Sequence, residues 1–151
     1  MTSNQKTLIV SLSVLVLTLS LACIGSSEPV AMGDIPIYDG ATTVTAGDDP
    51  LVDLVIESMK ESAAGEDISM ETGTYALPSG TSWDDVKTFY TDQLKDSDWE
   101  PADELSDESE DFKTLGWQRG PAYQEQLLVV AYLPDIFGKD AATLIVMLFS
   151  E

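Results

Sequence analysis

Twenty-seven carboxylates, one cysteine and no histidine set the limits of the chemistry open to this 151-residue chain. Without an imidazole there is no Ser-His-Asp or Cys-His nucleophile and no His-ligated zinc. Catalysis would have to rest on carboxylates, Lys, Tyr, Ser or Thr, or on an oxygen-ligated hard cation. Adjacent acids occur at Asp84/Asp85, Asp103/Glu104, Asp107/Glu108 and Glu110/Asp111. A carboxylate-dependent hydrolase needs two acids held on opposing walls of a cleft. A divalent-cation loop needs carboxylate oxygens from spaced positions converging on one point. The densest run, Asp103–Asp111, is the candidate for the second role. It does not have the EF-hand spacing: counted from Asp96, Pro101 stands where that loop requires its glycine. In so acidic a chain neighbouring acids arise from composition alone. The run therefore reads as a solvated turn, and no catalytic residue, metal ligand or cofactor is assigned.

The cysteine is different, because its surroundings give it a task. Lys6 precedes an uncharged, Leu- and Val-rich run from Thr7 to Ala22, and Cys23 follows directly. A short basic start, a compact apolar stretch and a small residue before a cut are the parts of a secretory signal. The run falls short of the roughly 20 apolar residues that span a bilayer. Exported proteins usually carry paired cysteines or none, and Cys23 is unpaired by count.

Leu19-Ser20-Leu21-Ala22-Cys23 resembles the lipobox of bacterial lipoproteins, with Ser20 where Leu is usual. The resemblance implies that residues 1–22 are a signal peptide, that the Cys23 thiol carries a lipid, and that Cys23 becomes the mature N-terminus. Two acyl chains, each contributing about 0.8 kcal/mol per buried CH₂, hold stably where one exchanges. The alternative is an ordinary signal peptide or a retained anchor helix with a chance cysteine.

Loss of residues 1–22 removes Lys6 and no acid, so the mature chain is one unit more negative than the −20 of the full sequence. Such a chain has no basic stripe for phosphates, which excludes nucleic acid as a partner. Anionic headgroups should repel it. Cations or cationic peptides remain as charged partners, and a salt-rich environment that screens the acids is the plainer explanation.

Residues 23–33 are small, polar and aperiodic and read as a lipidated tether spanning on the order of 18 Å. Residues 34–151 suffice for one domain with its own core. Asp48-Asp49-Pro50 starts a helix by supplying acids and a first-turn Pro. Leu51, Val52, Leu54, Val55, Ile56 and Met59 share its apolar face, giving a helix over Asp49–Ser62. Ser82 and Asp85 form a capping box for a helix over Ser82–Lys95, whose stripe is Trp83, Val86, Tyr90 and Leu94. A short strand near Thr42–Thr45, a strand over Asp67–Leu77 bulged at Gly73, one starting at Trp99 and one over Phe112–Arg119 are expected. Glu125–Leu133 and Ala141–Phe149 are apolar on both faces, as central strands are. The connection Pro134–Asp140 carries Ile136 and Phe137, which either fold back onto the core or present an apolar contact to a partner.

The residues Pro36, Tyr38, Gly40, Ala41, then Val86, Phe89, Tyr90, Leu94 and Trp99, are similar to the pattern of a loose group of small bacterial lipoproteins. Asp39 and Asp98 replace the Pro and Gly usual in that group. The resemblance implies architecture and no activity.

The expectation is thus an α+β domain. An antiparallel sheet of four to six strands carries the Ser82–Lys95 helix on one face, with a second helix near Asp49–Ser62. Functionally it is a non-catalytic envelope lipoprotein, held at the cell membrane through Cys23 with its domain on the extracytoplasmic side. That domain would bind an envelope protein or small ligand, with Ile136 and Phe137 as candidate contacts. A carboxylate-dependent hydrolase and a cation binder using Asp103–Asp111 are the alternatives.

Overall fold

The computed structural model describes residues 28–63, 68–110, 112–121, 124–135 and 141–151. The described elements in chain order are β1 (Thr42–Thr43), α1 (Pro50–Ala63), β2 (Ser69–Ala76), α2 (Trp83–Leu94), β3 (Glu100–Pro101), β4 (Asp107–Glu108), β5 (Lys113–Arg119), β6 (Gln126–Leu133) and β7 (Thr143–Ser150). The fold is α+β: two helices and one open, wholly antiparallel sheet in the order β1-β2-β7-β6-β5-β3, with β4 also on β5.

The sheet has seven strands rather than four to six. The added strand comes from the acid-dense stretch read as a solvated turn. There the chain runs along the outer edge of β5 in two pieces, Glu100↔Gln118 with Pro101↔Trp117, and Asp107↔Thr114 with Glu108↔Lys113. A 3₁₀ turn at Asp103–Leu105 separates the pieces. Pro101 cannot donate to a ladder, which suits it to an edge. Short, charged edge pieces also discourage pairing with another chain.

Gly73 does not form a bulge: β2 pairs with β7 without a break from Ser69↔Ser150 to Ala76↔Thr143. The change of apolar phase has another cause. Met70 contributes to one face of the sheet and Tyr75 to the other. A Cβ on Gly73 would lie 2.5 Å from the Tyr75 hydroxyl oxygen, so the glycine makes room for that ring.

Buried residues fall into two clusters that alternate along the central strands. Leu128, Val130 and Tyr132 of β6 and Leu144, Val146 and Leu148 of β7 belong to the first, together with Trp83, Val86, Tyr90 and Leu94. Val129, Ala131, Leu133, Ile145 and Met147 belong to the second, together with Val52 and, at its margin, Val55, Ile56 and Met59. Alternate residues of a strand face opposite sides, so the two clusters lie on opposite faces of β6 and β7. Leu54, grouped above with the apolar face of α1, is 66 % exposed.

The capping box of α2 is present: the Asp85 N–H donates to Ser82 Oγ at 3.2 Å, and the Ser82 N–H donates to Asp85 Oδ2 at 2.9 Å. Asp49 Oδ1 accepts the Leu51 N–H at the start of α1. Residues 28–33, read as part of a tether, are joined to the domain instead. The Val30 N–H donates to Gln126 Oε1 and its carbonyl accepts from Gln126 Nε2, while Val30 and Met32 pack against the first cluster.

Candidate binding cleft

Among the described residues, a cleft of 400 Å³ lies on the second face of the sheet. Val129, Leu127 and Phe149 contribute from the central strands, Met59 from the last turns of α1, and Phe112 from the approach to β5. Leu105 adds its side chain from the Asp103–Leu105 turn. It can do so because Gly116 has no Cβ; one placed there would lie 2.2 Å from Leu105 Cβ. Two hydrogen bonds hold the turn in place: the Ala102 N–H donates to the Gly116 carbonyl at 2.9 Å, and the Gly116 N–H donates to the Ser106 side-chain Oγ at 3.2 Å.

The polar groups inside this cleft are largely engaged with the fold. The Thr114 hydroxyl donates to the Leu105 carbonyl and accepts the Asp107 N–H, both at 3.0 Å. Exposed Glu104 and Asp107 bring carboxylates to the lining, which contains no Lys or Arg among the described residues. The surface is therefore apolar within and anionic at its margin. Among the described residues, the lining places no nucleophile beside a base.

A larger cleft of 610 Å³ lies among α1, β2 and the chain after β1, lined by threonines and by Asp53, Glu57 and Lys60. A third, of 410 Å³, is lined by Leu94, Trp99 and Arg119. There the Arg119 guanidinium lies 5.5 Å from the Trp99 ring centre and 3.7 Å from Asp98 Oδ2.

Of the candidate residues named from sequence, Cys23, Ile136, Phe137 and Asp111 lie outside the described residues. Among the described residues, the acids of these pairs form no common metal-holding group. Asp85 is occupied in the α2 cap, and the Ser82 hydroxyl and N–H hold its carboxyl below the usual range. Glu108 accepts from Lys87 Nζ and from Trp83 Nε1. Those bonds, the Lys87 one first, hold Glu108 down, and Glu108 in turn raises Lys87. A general acid at neutral pH needs a raised carboxyl, and both shifts run the other way. Among the described residues, no group of three or more His, Cys, Asp or Glu is placed to hold a metal ion.

Sequence reasoning did not find the cleft. The available signal was Leu105, the one apolar side chain beyond alanine between Pro101 and Asp111, with Phe112 directly after. No family model, curated protein or solved structure matches the chain.

Proposed function

We propose that this protein is a non-catalytic lipoprotein of the cell envelope, anchored through a lipid on Cys23, whose extracytoplasmic domain binds a small ligand with an apolar body and a cationic group. The apolar cleft with Glu104 and Asp107 at its margin carries this reading. The apolar lining matches the body, and the acidic margin in a chain of charge −20 matches the cation. In this reading α2 covers one face of the sheet and α1 part of the other. The membership of Val86, Tyr90 and Leu94 in the first cluster and of Val52 in the second supports it. Attachment by lipid accords with Cys23 being the only cysteine, placed where the apolar run ends.

The test has two arms. Intact mass of the membrane fraction reports the lipid on Cys23, and Cys23→Ser should release the protein. Titration with dodecyltrimethylammonium below its micelle concentration should saturate, whereas dodecyl sulfate should not bind. Leu127→Asp, which puts a charge into the cleft lining, should remove the saturable binding without altering circular dichroism. A soluble protein without lipid sinks the anchor. Equal or absent binding of the two amphiphiles sinks the ligand class.

A further inference from the structure

The segment that follows Cys23 joins the domain at one end of the sheet. Gln126, 3 % exposed, grips both backbone groups of Val30, at 2.8 and 2.9 Å, and also donates to Ser150 Oγ at 3.0 Å. Arg119 Nη2 donates to the Glu28 carbonyl at 3.4 Å. Arg119↔Gln126 and Gln126↔Ser150 are the terminal pairs of their ladders. The attachment is therefore at the end where β5 and β7 finish and β6 begins. Leu94, at the end of α2, lines the same cavity as Val30 and Arg119.

The opposite end holds Leu133↔Thr143 and Ala76↔Thr143. The turn of residues 78–81 lies there too, because the Leu77 N–H donates to the Ala142 carbonyl and the Tyr132 hydroxyl donates to the Thr81 carbonyl. Only residues 24–27 separate Cys23 from Glu28. Fully extended, that link reaches at most about 18 Å. An eight-residue strand is about 26 Å long, so the link is shorter than the sheet it carries.

We infer that the domain stands on the bilayer by the end carrying Glu28, Asp96 and Arg119, with the turn of residues 78–81 farthest from the lipid. This rests on the lipid at Cys23 proposed above. The short link gives the orientation. The acidic surface keeps the domain from lying down on an anionic membrane, since like charges repel within a Debye length of about 8–10 Å.

The test uses the full lipidated protein in vesicles of anionic and zwitterionic phospholipid. Lipidation consumes the Cys23 thiol, so a new cysteine can be labelled selectively. Asp96→Cys and Ser79→Cys, both at exposed positions, would each carry a fluorophore, with a nitroxide quencher on the lipid headgroups. Quenching should be several-fold stronger at position 96 than at 79. Insertion of a long Gly-Ser segment between Ser27 and Glu28 should shrink that ratio. Equal quenching at the two positions, a reversed ratio, or a ratio untouched by the insertion overturns the orientation while leaving the anchor intact. Absence of a lipidated mass at Cys23 overturns both.

Discussion

Tyr90 is the residue whose chemistry is most constrained by burial. Its side chain is fully buried, its hydroxyl has no hydrogen-bond partner among the described residues, and burial, with a smaller effect of Tyr75, pushes its pKa well above the ordinary 10. Its ring contacts are with Phe89 at 5.1 Å and Trp117 at 6.2 Å. An unpartnered buried hydroxyl costs on the order of 1–3 kcal/mol, so Tyr90→Phe should leave stability equal or raise it by about 1 kcal/mol in urea unfolding at pH 7. The pH dependence has a definite sign. The native group holds its proton above pH 10, where the unfolded group loses it. The unfolded state then binds fewer protons, and stability falls as pH rises, at up to about 1.4 kcal/mol per unit. Unfolding midpoints from pH 9 upward should fall more steeply for the wild type than for Tyr90→Phe. Parallel curves would refute a neutral buried phenol. Gly116 is the opposite case, a residue defined by what it lacks. Gly116→Ala drives a Cβ into the Leu105 Cβ. It should cost about 1–3 kcal/mol, the usual range for overpacking, and displace the turn that helps form the cleft.

At the scale of elements, α2 depends on Ser82, whose hydroxyl accepts the Asp85 N–H. Ser82→Ala should destabilise the domain by about 1 kcal/mol in chemical unfolding. It should also flatten the acid limb. The carboxyl of Asp85 is held low by Ser82, so its contribution is present above the unfolded pKa and fades as pH falls through the native one. An unchanged acid limb would show that the box is not made in solution. These elements were the legible ones. The capping box, the 3.6-residue stripe of Trp83, Val86, Tyr90 and Leu94, and the two-sided apolar runs of β6 and β7 are local patterns. Each states its own burial. What could not be read was pairing at a distance. The strand at Asp107–Glu108 exists because β5 offers an edge, the Trp83–Lys87–Glu108 contact joins residues more than 20 positions apart, and the docking of Val30 depends on Gln126. The cleft is likewise a property of several elements together. Gly73 shows the limit within one strand: alternation cannot distinguish a bulge from a strand that fills both faces in turn.

The whole molecule carries an excess of twenty negative charges, and its stability should follow ionic strength accordingly. Three ion pairs are present among the described residues, Lys87–Glu108, Lys95–Asp92 and Arg119–Asp98. Each has at least one well-exposed partner, and exposed pairs contribute about 0–1 kcal/mol. Salt weakens those few attractions and, at the same time, screens the repulsion among the many remaining carboxylates. Repulsion has far more pairs, so screening should win. Raising NaCl from about 0.01 M to about 0.3 M shortens the Debye length from about 30 Å to about 6 Å. The melting temperature of lipid-free protein should rise by several degrees over that range. Tetramethylammonium chloride should match NaCl, because screening depends on charge and concentration and not on coordination. Calcium chloride at matched ionic strength then separates the two meanings of the acidic surface. An equal rise means that the carboxylates form a diffuse field suited to a salty medium and to cationic ligands. A further rise that saturates with calcium would mean that oxygens from the acid-dense stretch converge on an ion, and would reinstate the cation-binding alternative. A fall in melting temperature with NaCl would show that the three ion pairs outweigh the repulsion, contrary to the charge count.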